Sequence, residues 1–82
     1  MDRKQWAVIR RLGEEILSLQ SRLEGAKFQA QAARERLSED GLTFRQWNEA
    51  AHEYGTSSGS AFSIERRLAV VRGRFHYMTE RV

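Results

Sequence analysis

Apolar side chains recur along this chain at alternating intervals of three and four. Ile9, Leu12, Ile16, Leu19, Leu23, Ala26, Ala30, Ala33 and Leu37 form one unbroken run, the mark of a long helix packed along a single stripe. The spacing predicts a helix over about 3–37, with Asp2 as its N-cap and with Gly13 and Gly25 as its weakest points. A second run, Ala61, Ile64, Leu68, Val71, Phe75, Met78 and Val82, predicts a helix over about 61–81. Residues 68–78 are also rich in β-formers around Arg72-Gly73, which admits a strand pair, but seven successive seam positions favour the helix. Between the runs, Ser38-Glu39-Asp40-Gly41 reads as a turn. Thr43 with Gln46 has the form of a capping box, and Leu42 with Trp47 that of a hydrophobic staple. Phe44, Trp47, Ala50, Ala51 and Tyr54 then form the apolar face of a short helix over about 44–54. Gly55 reads as its C-terminal stop, and Thr56-Ser57-Ser58-Gly59-Ser60 as a linker.

These elements make a single all-α domain over 1–82: a long helix, a short capped helix and a C-terminal helix folded back antiparallel. That register sets Glu65 opposite Arg34 and Arg81 opposite Glu15, with Arg72 unfavourably against Lys27. At 1.5 Å per residue the C-terminal helix is about 20 Å shorter than the first. Trp6, Val8, Ile9 and Leu12 are thereby left without an intrachain partner, unless the chain bends at Gly13 and folds them back. Projecting apolar side chains of this kind mark interfaces, and Trp beside Arg is a frequent hot-spot composition. Trp6, Ile9, Arg10 and Leu12 are therefore the expected self-association surface, with a homodimer the favoured assembly.

Composition narrows the choice of function. The chain has 82 residues, no proline and no cysteine, a size that allows one small domain. Without cysteine there is no disulfide, thiol nucleophile or Cys-based zinc site. No run approaches the roughly 20 apolar residues of a membrane span, and the N-terminal residues lack a signal-peptide pattern. A soluble, cytoplasmic protein without a membrane partner is expected. Lys and Arg number 14 against 11 Asp and Glu. The net charge of +3 divides into an excess of three cations over 1–37, three anions over 38–59 and three cations over 60–82.

Candidate chemistry is sparse. Gly55-Thr56-Ser57-Ser58-Gly59 spells the G-x-S-x-G string of a nucleophile elbow, but that motif needs a strand before it and a helix after it. His52 near Glu49 and Glu53, and His76 four residues before Glu80, read as helix-surface side chains. No catalytic, cofactor or metal site is expected, and none of these residues points to an enzyme.

The segment from Trp47 has apolar Ala50 and Tyr54, small Ala51, Gly55 at a turn position, and Ala61 and Ile64 beyond it. The Ala51-x-x-x-Gly55 spacing resembles the helix-turn-helix DNA-binding motif, with Thr56 standing where an apolar residue is usual. The resemblance covers about 20 residues and implies a DNA-binding unit over 43–67, with the first helix as dimeriser. Its contacts to nucleic acid would come from Ser57, Ser60, Ser63, Arg66, Arg67, Arg72 and Arg74. Against it, the would-be recognition helix begins with serines rather than the Arg, Asn or Gln that read base edges, and residues 38–59 are acidic where phosphates would lie. The leading expectation is a non-enzymatic, self-associating helical module that covers or bridges a protein partner, as an adaptor, assembly factor or inhibitor. Nucleic-acid binding is the alternative.

Overall fold

The computed structural model describes residues 2–80 and contains two helices, α1 (Arg3–Leu37) and α2 (Phe44–Glu80). They lie antiparallel as a hairpin measuring 62 × 14 × 14 Å. Each end of each helix has a local cause. At the start of α1 the Gln5 backbone N–H donates to Asp2 Oδ1 at 2.8 Å, and the Asp2 N–H donates back to Gln5 Oε1 at 3.3 Å. This reciprocal cap satisfies two otherwise orphaned donors. Arg34 and Arg36 occupy the last turn of α1, where cations complement the helix dipole. Ser38 then closes the helix, its hydroxyl donating to the Arg34 carbonyl at 3.2 Å. Gly41 supplies the left-handed step of the turn with φ +79°, a conformation that favours glycine. Thr43 and Gln46 cap α2 as the sequence predicts, through Gln46 N–H to Thr43 Oγ1 at 3.2 Å and Thr43 N–H to Gln46 Oε1 at 3.0 Å.

The three-helix expectation is corrected at one place. Residues 55–60 are helical, so the predicted short helix, linker and C-terminal helix form one element. Gly55 is not a stop. The physical reason lies in the phase of the seam: Ala50, Ser57, Ile64 and Val71 stand seven residues apart and are all buried. The run that begins at Ala61 in the sequence therefore continues backward through the Gly/Ser segment without a slip. Gly and Ser lower helix propensity by up to about 1 kcal/mol each, and burial along α1 outweighs that local preference. Residues 68–78 are helical too, and no strand occurs among the described residues. Arg81 and Val82, the predicted end of the second run, lie outside the described residues.

Continuity changes the register. Glu65 Oε1 meets Lys27 Nζ at 3.3 Å, one heptad from the Arg34 expected opposite it. Glu15 Oε1 pairs with Arg67, at 2.9 Å to Nε and 2.8 Å to Nη2, in place of Arg81. Arg36 Nη1 reaches Glu53 Oε2 at 3.0 Å. All three pairs join residues that flank the apolar seams, as the borders of a coiled coil do.

α2 consequently covers α1 along its length, and the expected projecting end does not exist. Ile9 is 7% exposed, and Leu12 is half-buried against the core cluster. Those two residues are withdrawn from the expected interface, because they serve the intrachain seam. Gly13 and Gly25 stay helical, and Phe75 Cε2 would lie 3.7 Å from a Cβ at Gly13. The expected apolar face of 44–54 also shifts. Ala50 is buried, whereas Phe44 is 79% exposed and Trp47 and Tyr54 are partly exposed, at 47% and 39%.

Leu19, Ala26, Ile64, Leu68 and Val71 form the core, flanked by Leu12, Ile16, Leu23 and Ala61. Every described position of both predicted seams is buried or partly buried. The core is one layer thick. The molecule exposes 6559 Å², against about 5,000 Å² for a compact monomer of this mass.

Candidate interaction surface

The flanking positions of the two seams build a groove along one side of the hairpin. Near the middle, Gln20, Glu24 and Lys27 of α1 face Glu65, Ala69 and Arg72 of α2 across a cleft of about 650 Å³. Toward the turn, Ala30, Gln31 and Arg34 face Tyr54, Ser58 and Phe62 across a second cleft of about 480 Å³. Lys27 and Glu65 line both, so the two clefts adjoin at the Lys27–Glu65 pair and make up a groove that this pair divides. Its floor is apolar, made of half-buried Leu23, Ala30 and Ala61 and buried Leu68.

Helical periodicity carries the same side toward the open end of the hairpin. Trp6 lies on the line of Gln20, Lys27 and Arg34, and Arg3, Arg10 and Leu17 lie on the line of Glu24 and Gln31, because residues seven apart return to one side of a helix. Trp6 is 59% exposed and sits in a hollow with Arg3, Ala7, Arg10, Arg11 and Glu14. Phe62 is 62% exposed, with the Arg66 guanidinium 5.8 Å from its ring centroid, a cation–π distance. The opposite side holds the Arg36–Glu53 and Glu15–Arg67 pairs and a smaller cleft lined by Phe28, Gln29, Ala32, Glu53 and Ser57.

Charge is polarised along the rod. Among the described residues, Arg3, Lys4, Arg10, Arg11, Arg72 and Arg74 at the open end form no ion pair with a described carboxylate. At the turn end, Glu35, Glu39 and Asp40 form none with a described cation. Asp2 and Glu14 at the open end and Arg34 near the turn are likewise unpaired, so the balance of unpaired charge among the described residues is positive at the open end and negative at the turn end.

The structure sorts the sequence-predicted residues. Trp6 and Arg10 share one exposed hollow, while Ile9 and Leu12 do not join them. The nucleic-acid set is split around α2. Ser57 is buried against α1, Arg67 is tied to Glu15, Arg72 lines the groove, Arg66 covers Phe62, and Ser60, Ser63 and Arg74 are exposed elsewhere. The turn required by the helix-turn-helix resemblance is absent, since Gly55 lies inside a continuous helix. For the same reason Gly55–Gly59 has no elbow geometry. His76 Nε2 sits 2.8 Å from Glu80 Oε1 on the helix surface, and no three His, Cys, Asp or Glu side chains among the described residues could hold a metal ion. No described helix is long and apolar enough to cross a membrane.

Sequence reasoning missed Leu17 and Phe62 as surface residues, because each directly follows a seam residue (Ile16, Ala61). The signal was available in the seven-residue line Arg3, Arg10, Leu17, Glu24 and Gln31, which leaves Leu17 outside the seam. Comparison with protein-family models, with curated proteins and with solved structures finds no match to this chain.

Proposed function

We propose that this chain is a non-enzymatic protein-binding module that uses the grooved side of its helical hairpin to cover or bridge a macromolecular partner, and that it works as an oligomer. One observation carries the reading. Trp6 and Phe62, each more than half exposed, share a side with an apolar-floored groove and are accompanied by Arg3, Arg10 and Arg66. Exposed aromatics beside Arg, over apolar surface, have the composition of binding hot spots. Chemistry contributes nothing to the proposal; shape and side-chain type carry it.

The test is affinity capture from the native host with nuclease present, comparing the natural chain with a Trp6→Ala, Phe62→Ser variant. A protein that is retained by the natural chain and lost by the variant supports the reading. Capture that disappears with nuclease refutes it and favours nucleic acid. That second reading has its own support at the open end, where six unpaired cations stand against unpaired Asp2 and Glu14 among the described residues. It requires affinity that falls steeply with added salt, because released counterions drive such binding. It would place the nucleic acid at that end rather than at residues 43–67.

A further inference from the structure

The geometry points to a second copy of this chain as an occupant of the grooved side, stacked face to face and antiparallel about a two-fold axis crossing the middle of the rod. The inference rests on the reading of this side as a protein-binding surface.

Three observations combine. The first is charge: among the described residues, unpaired cations outnumber unpaired carboxylates six to two at the open end, and unpaired carboxylates outnumber unpaired cations three to one at the turn end. A parallel stack would set cations beside cations, whereas an antiparallel stack sets each open end beside a turn end. Opposite potentials of this kind fix orientation more than they add affinity. The second is area. The hairpin exposes 6559 Å², about 1,500 Å² beyond a compact monomer of its mass. A stable dimer buries about 800 Å² from each partner. The third is closure. The two-fold contact satisfies the same side of both copies and leaves no repeating end, whereas an end-to-end contact between the same charges would propagate into a filament.

The axis also gives a sensible pairing. It lies in the plane between the copies, so α1 faces α1 and α2 faces α2 in opposite directions. Gln20, near the middle of α1, then lies close to its own counterpart. Phe62 comes level with Ala69 of the second copy, large against small. Arg3 and Lys4 come level with Glu39 and Asp40 of the second copy. Trp6 comes level with its Arg34, where a guanidinium can lie over the indole. The product is a four-helix arrangement whose outer core is the groove floor of each hairpin.

The full chain contains no cysteine, so single cysteines report orientation without background. Sedimentation equilibrium is expected to give twice the 9.5 kDa chain mass. Gln20→Cys should form a disulfide with itself on oxidation. Arg10→Cys and Gln31→Cys should form one when mixed, and neither should do so alone. Leu17→Asp with Phe62→Ser should weaken association roughly tenfold or more, with circular dichroism of the unassociated chain still helical, since both side chains are exposed. Glu39→Lys with Asp40→Lys should weaken it as well, and adding Arg3→Glu with Lys4→Glu should restore it. A mass of 9.5 kDa throughout, self-linkage of Arg10→Cys, or charge reversal without rescue would each overturn the inference. Binding of a polyanion by a chain that remains monomeric would overturn it in favour of nucleic acid. Because these measurements use purified protein alone, their failure removes self-association from the proposed function but leaves the capture result, and the protein-binding reading it tests, standing.

Discussion

Glycine distribution is where single residues speak most clearly. A Cβ at Gly25, Gly55, Gly59 or Gly73 would meet nothing within 4 Å, and all four lie inside helices. Glycine there costs roughly 0.5–1 kcal/mol relative to alanine, through unfolded-state entropy. Gly59→Ala is therefore expected to stabilise the protein by about that amount in urea titration. Gly41→Ala should do the reverse, because its φ of +79° suits an L side chain poorly. Truncation in the thin core has a larger effect. Leu68 is 3% exposed within the core cluster, so Leu68→Ala should remove about 2–4 kcal/mol, by lost burial and the cavity left behind. The surface ion pairs deserve less weight: Lys27 and Glu65 are both more than half or half exposed as side chains, and such pairs contribute little.

At the scale of the element, the decisive finding is that α2 does not stop at Gly55. Gly55→Pro distinguishes a linker from a helix interior. In a linker it would be tolerated, whereas in α2 it removes a backbone donor, clashes with the preceding turn and should cost about 3 kcal/mol. Thermal unfolding reads the difference, and slow amide exchange at residues 57–64 in the natural chain would agree with it. The same segment shows where legibility ended. Both seams, the Asp2 cap, the Thr43–Gln46 capping box and the turn at residues 38–41 are readable, since each is a local or strictly periodic signal, while the Asp2–Gln5 reciprocal box emerges only in the structure. Residues 55–60 are not readable, because Gly and Ser carry strong local cues for a break while the opposing cue is one small residue, Ser57, seven from Ala50 and seven from Ile64. Phase outlasted composition. The candidate surface suffered from the same error, since the groove exists only in the register that a continuous α2 imposes. Trp6 and Arg10 lie on the surface, whereas Ile9 and Leu12 turn into the seam because a continuous α2 reaches the start of α1.

At the scale of the molecule, a single seam must hold together a rod 62 Å long. Two helices of 35 and 37 residues provide length without depth, and the exposed area exceeds that of a compact chain. A concentration-dependent melting temperature is the expected consequence if copies pair, because assembly stabilises by mass action. Differential scanning over a hundredfold range of protein concentration would show a rise in the transition, whereas an invariant midpoint would mean the hairpin stands alone.

The seam is also graded from one end to the other. Beyond half-buried Leu37 at the turn itself, it runs through small Ala26, Ala30, Ala33, Ala50 and Ser57, while larger Leu19, Ile64, Leu68 and Val71 lie further from the turn. A folding chain that zips from the turn therefore passes, after Leu37, through a stretch of small rewards and gains its fully buried large side chains only after some fifty intervening residues have been ordered, so the entropic cost is met early and most of the compensation arrives late. Leu68→Ala and Ala33→Gly should then both slow folding, whereas Ile9→Ala at the buried open end of the seam should chiefly hasten unfolding, and stopped-flow chevrons of the variants would separate the limbs. On this view the turn holds the register of the hairpin, and the distant leucines set the pace at which it forms.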